Sequence, residues 1–186
     1  MSKELKLIPP NDPRVRSPIP VFKDELLEKY GFKDRKELTD SMFETMNRYK
    51  GLGLTCNQIG LPLNMFVMGD HPRLENGLKL ACFNPMIISS SEETVLMKEG
   101  CLTFPFVFLN IKRPRKVVVK YEDENGNLQE GHLDNMFSRI FQHEYDHTQG
   151  KVFVEHVSKL KLDMAYKKAE KMMDRLQQGG EVVEKI

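Results

Sequence analysis

The run His143-Glu144-Tyr145-Asp146-His147 holds the residue types and spacing best suited to chemistry. On a helix, residues four apart share a face, so the two imidazoles can reach one cation. Glu144 follows the first histidine, where its carboxylate can meet a water beside the cation without binding the cation itself. Two imidazoles and an adjacent carboxylate are the parts of a metal hydrolase. The plainer alternative is a solvated helix face that carries two histidines by chance.

A catalytic site of this kind needs a third protein ligand and an open position. Glu155 and His156 are available downstream. Upstream stands Cys101, in Lys98-Glu99-Gly100-Cys101-Leu102-Thr103, where the glycine lets the sulfur project from a turn or strand end. Spacing alone leaves both choices open. Cys56 and Cys82 read as small buried apolar residues. A third segment, Gly51-Leu52-Gly53-Leu54-Thr55-Cys56-Asn57-Gln58-Ile59-Gly60, has two glycines that let backbone approach a ligand closely. Gln58 can donate an amide hydrogen bond there; a helix-ending turn with a solvated glutamine is the alternative. The segment lacks the lysine pattern of a phosphate-binding loop, and no strand immediately precedes it.

The elements that must position these groups follow from periodicity and punctuation. Residues 1–33 read as an irregular arm, because Pro9, Pro10, Pro13, Pro18 and Pro20 oppose regular structure. Residues 34–50 read as a helix, with Leu38, Met42, Met46 and Tyr49 on one face and Gly51 as its stop. Residues 63–68 read as a strand, and 79–89 as a strand broken or bulged at Pro85. Residues 115–122 and 127–133 read as a hairpin around Asn125-Gly126. The histidine-bearing helix is expected from about Asp134, as N-cap, to His147, with Gly150 just past its end. A last helix is expected over 158–178, stopped by Gly179-Gly180, with a frayed tail at 179–186. The expected class is α+β: a single domain, 1–186, of short mixed or antiparallel strands around a central metal-binding helix, with one further C-terminal helix.

The formal net charge is +1, so no strong field points to DNA or to an anionic membrane. Three cysteines do not make a secreted disulfide framework, and a reducing cytosol is expected. No apolar run nears the ~20 residues of a membrane-spanning helix, and residues 1–10 do not read as a signal or transit peptide.

Taken together, Gly51–Gly60, Glu99–Thr103 and Gln142–His147 resemble the three motifs of the peptide deformylase family, G-x-G-x-A-A-x-Q-[IV]-G, E-G-C-[LS]-S and Q-H-E-x-D-H, in that order. Phe83-Asn84-Pro85, Ile111 to Pro114 and Arg139 resemble flanking features, and the resemblance spans roughly residues 7–158. Thr55-Cys56 replaces the usual Ala-Ala pair and Thr103 the usual Ser.

The resemblance implies that the enzyme removes the formyl group from N-formyl-methionyl nascent peptides, releasing formate. It implies one divalent cation on Cys101, His143 and His147, Fe²⁺ by family habit, with Zn²⁺, Ni²⁺ or Co²⁺ also suited to the ligands. Glu144 would accept the proton of a water. The side-chain amide of Gln58 and the backbone N–H of Leu102 would face the charge that develops on the formyl oxygen. Leu52, Gly53 and Gly100 would meet the substrate backbone, and Leu52, Met97, Met136 and Ile140 would form the methionine pocket. Glu99 and Asp146 are expected to hold ligand histidines. A monomer in the bacterial or phage-host cytosol, near the ribosomal exit, completes the expectation. Two rivals stand beside it. One is a zinc endopeptidase using Glu155 or His156. The other is a non-catalytic module binding ribosomal RNA or a nascent chain through Lys159, Lys161, Lys167, Lys168 and Lys171.

Overall fold

The computed structural model describes residues 2–72, 74 and 77–178, so the expected tail at 179–186 and its glycine stop lie outside the described residues. The first helices are α1 (Glu25–Lys29) and α2 (Arg35–Arg48). The strands are β1 (Gly53–Thr55), β2 (Met65–Gly69), β3 (Lys79–Ser90), β4 (Thr94–Cys101), β5 (Phe104–Pro114), β6 (Lys116–Glu122) and β7 (Leu128–Asp134). Two helices follow, α3 (Asn135–Thr148) and α4 (Lys159–Gln177). One sheet has the order β1-β2-β3-β6-β7 and a second is the β4-β5 hairpin. Every pairing among the described strands is antiparallel.

α2 begins where Asp34 accepts the Glu37 N–H at 2.8 Å, and Glu37 in turn accepts the Lys33 N–H at 2.7 Å. Its stripe of Leu38, Met42 and Met46 is fully buried against Leu54, Leu63, Met65 and Val67. The arm before it is more ordered than its prolines suggest: it contains a 3-10 turn at Pro13–Arg16 and helix α1. Pro13 starts that turn, where its missing N–H costs nothing. The arm is tied to the core by Ile8 N–H to Gln58 O at 2.9 Å and Ile19 N–H to Thr148 O at 2.8 Å.

The β3 irregularity falls where Pro85 pointed, with a register shift between Phe83 and Met86. Asn84 takes a positive φ of 47° there, and its amide holds the Phe22 backbone and Glu122. The β4-β5 hairpin was not anticipated. In β5 the inward residues Phe104, Val107, Leu109, Ile111 and Arg113 are interleaved with Phe106, Phe108 and a proline, which hides the period of two.

α3 is central and mostly buried, against β1, β2, β5, β6 and β7. Ile140 and Phe141 enter a cluster with Phe66, Val117 and Val119, and the rings of Phe66 and Phe141 meet edge-on at 5.0 Å. Asp134 stands at the N-cap position, but its carboxylate meets Arg115 Nε at 3.2 Å rather than the helix. α4 packs on β5 through Leu162, Ala165 and Ala169. Lys159, Lys161, Lys167, Lys168 and Lys171 are exposed among Asp163, Glu170 and Asp174, as a solvated face.

Candidate metal centre

Cys101 ends β4, at a register shift from Gly100, and Leu102-Thr103 turn the chain into β5. α3 presents His143 and His147 from successive turns, with ring centres 5.2 Å apart. The ligand atoms of Cys101, His143 and His147 all lie within 4.8 Å of one another, and Cys101 Sγ is 3.3 Å from His147 Nε2. Of the two sources considered for a third ligand, the structure brings in the upstream one. His156 Nε2 lies 2.8 Å from Asp146 Oδ2, and Glu155 faces Arg16 at 3.7 Å.

A carboxylate orients the first histidine. His143 Nδ1 meets Glu99 Oε2 at 2.9 Å, which leaves Nε2 as the nitrogen free to ligate. Glu99 is itself clamped: Arg113 Nε and Arg139 Nη1 each reach its Oε1 at 2.7 Å. Asp146 meets no ligand; it holds Arg113 Nη1 at 2.7 Å and His156. It therefore acts one contact further out than expected. His147 Nδ1 is buried without a hydrogen bond among the described residues.

Burial pushes the Cys101 thiol up, but the His147 and His143 imidazoles outweigh it and hold the thiol well below its ordinary value. Burial also acts against the charge on Glu99, yet His143 and Arg113 keep its carboxyl well below the usual range. A cysteine sulfur and two imidazoles are donors that suit a divalent zinc- or iron-like ion. The residues present therefore fit a cation.

Glu144 is 4% exposed, and burial raises its carboxyl above the ordinary value. Its Oε2 accepts from Thr55 Oγ1 at 2.7 Å, a contact the sequence did not disclose. Gln58 Oε1 accepts the Thr55 N–H at 2.8 Å, which turns Nε2 toward Cys101 Sγ at 3.4 Å and Thr103 Oγ1 at 3.1 Å. The motif glycines answer to space. A Cβ on Gly53 would lie 2.5 Å from Glu144 Oε1, one on Gly51 2.7 Å from Leu102 Cδ1, and one on Gly100 2.7 Å from the Phe108 ring. Thus the three segments interlock at the cation site.

Leu52 and Ile140 share the Phe66 cluster, and Ile140 is only 5% exposed. Met97 is half-buried on β4 and Met136 is exposed in the first turn of α3; neither joins that cluster. Arg113 and Arg139 were not anticipated as supports for Glu99. A usable signal was each arginine's place at an inward position of an otherwise apolar strand or helix face.

The polypeptide deformylase profile matches residues 15–163. The peptide deformylase of Wolbachia sp. subsp. Brugia malayi is 42% identical over 153 residues, covering 77% of this chain and 86% of the relative. A crystal structure of peptide deformylase from Ehrlichia chaffeensis superposes with a TM-score of 0.79 at 33% identity, over 94% of this chain and 99% of that one. A second structure of the enzyme from that organism, in complex with actinonin, gives 0.77 at 35% identity, over 92% and 98%.

Proposed function

The chain belongs to the polypeptide deformylase family, metal-dependent hydrolases that remove the N-terminal formyl group of nascent polypeptides, and from that premise we propose how its own residues divide the work. Cys101, His143 and His147 hold the cation. When bound, the cation supplies Lewis acidity, acidifying water and polarising a carbonyl. Glu144 accepts a proton from the attacking water and passes it to the leaving amine. The Gln58 amide and the Leu102 N–H face the formyl oxygen as charge develops on it.

One observation carries this reading: the ligand atoms of a thiol and two imidazoles lie within 4.8 Å of one another, with a buried carboxyl group beside them. Among the described strands, β1 and β4 each pair with one other, so one edge of each has no strand partner. The substrate backbone lies along these edges at Leu52, Gly53 and Gly100. Its methionine side chain enters beside Leu52, Met97, Met136 and Ile140.

We assign Fe²⁺ as the resident ion, with Zn²⁺, Ni²⁺ and Co²⁺ as competitors for the same donors. Because every proposed group comes from one chain, a monomer suffices. The substrate places the work in the cytosol, on chains leaving the ribosome.

The test is an anaerobic assay on formyl-Met-Ala-Ser, with iron and total metal measured on the same sample. Formate release that scales with iron content supports the assignment. Turnover in samples stripped of all metal contradicts the cation's role, and turnover that follows zinc instead contradicts the choice of iron.

A further inference from the structure

Thr55 stands where the family pattern has Ala, and none of the roles assigned above uses its side chain. Thr55 is fully buried at the end of β1, held in register opposite Phe66. Its backbone N–H is committed to Gln58 Oε1, a bond that any residue but proline could make. Its hydroxyl is what the Ala of the family pattern lacks. It reaches Glu144 Oε2 at 2.7 Å and the Glu144 carbonyl oxygen at 3.2 Å. Glu144 Oε1 carries no hydrogen bond among the described residues and lies over Gly53, where the missing side chain leaves it room. One carboxylate oxygen is tethered and the other is bare.

We propose that Thr55 is a positioning residue: its hydroxyl fixes the Glu144 carboxylate so that Oε1, and not Oε2, exchanges the proton with water and with the leaving amine. This rests on the reading of Glu144 as the base. In the first step the water oxygen bonds to the formyl carbon as the C=O π pair moves onto the formyl oxygen, a water O–H bond breaks and Oε1–H forms. In the second, the C=O bond re-forms as the C–N bond breaks, Oε1–H breaks and N–H forms on the amine, giving a free amine and formic acid, which loses its proton to solvent as formate. Oε2 accepts the Thr55 hydroxyl throughout, so the tether does not have to move. An untethered carboxylate rotates about a broad terminal torsion. That rotation spreads the acceptor over positions from which transfer is slower.

Thr55→Ala, Thr55→Val and Thr55→Ser separate the hydroxyl from the shape. Ala is the residue of the family pattern, so it suits the fold, and Val keeps the branched outline without the donor. kcat and KM on formyl-Met-Ala-Ser are measured together with metal content and Tm. The expected result for Ala and Val is a kcat lower by about tenfold, the scale of one hydrogen bond to a charged group, with KM within about twofold and metal content unchanged. Ser should restore kcat to within about twofold. Native kcat in both Ala and Val, or rescue by Val and not by Ser, overturns the inference. Glu144→Ala is run beside them. If it turns over normally, the reading of the base has failed. If it is inactive while Thr55→Val is native-like, only the tether has failed.

Discussion

Glu99 joins His143, a proposed metal ligand, to two buried guanidiniums, and its loss would leave both without their shared partner in a buried site. Stranding a buried charge costs about 3–5 kcal/mol, and losing the carboxylate behind a ligand weakens metal binding about 10–100-fold. Glu99→Ala should show both effects, in urea unfolding and in competition with a chelator. Native values in both would remove Glu99 from the account. Glu144→Ala should behave oppositely, keeping its metal and losing turnover by about 10²–10⁴-fold; metal analysis and formate release on one sample check it. At this scale the sequence was legible where chemistry is local. The two histidines and Glu144 lie within five consecutive residues of one helix. The partner of Asp146 was not legible, because Arg113 comes from a strand 33 positions away. Nor was the Thr55 contact, which spans 89 positions.

Strands and helices meet at the centre because three glycines let them. Gly53→Ala would drive a methyl group to 2.5 Å from Glu144 Oε1, so either the base moves or β1 does. The expected outcome is a folded protein with a melting point lowered by a few degrees and kcat reduced at least about tenfold. An active Gly53→Ala enzyme would show that the approach is not needed. α2, β3 and the β6-β7 hairpin were readable from apolar spacing with a glycine stop, a proline and an Asn-Gly turn. The β4-β5 hairpin was not, since its aromatic run has no clean alternation.

A pH effect belongs to the ion pair that links the start of α1 to the start of α2. The Arg35 guanidinium hydrogen-bonds the Asp24 carboxylate and holds its pKa below the ordinary value. A depressed folded pKa adds stability above the unfolded value of about 3.9 and loses it as pH falls through the folded value. Asp24→Asn should therefore be less stable than the native chain at pH 7 and nearly equal to it at strongly acid pH. A difference that does not change across acid titration would contradict this.

The whole molecule closes around the proposed cation site from two directions, β4 bringing the Cys101 sulfur and α3 the imidazoles. An unfolded chain does not hold these three together, so a cation that binds them stabilises the folded state. At about 100-fold over its dissociation constant this amounts to about 2.7 kcal/mol, or about 5–10 °C in Tm for a chain of this length. Chelation should lower Tm by that amount in the native protein and leave Cys101→Ala almost unmoved. The most direct test of the centre is X-ray absorption on the native protein as isolated under anaerobic conditions. The expected spectrum has a single sulfur at about 2.3 Å with nitrogen and oxygen completing the sphere. A spectrum fitted by nitrogen and oxygen alone, in a protein that still releases formate, would contradict it.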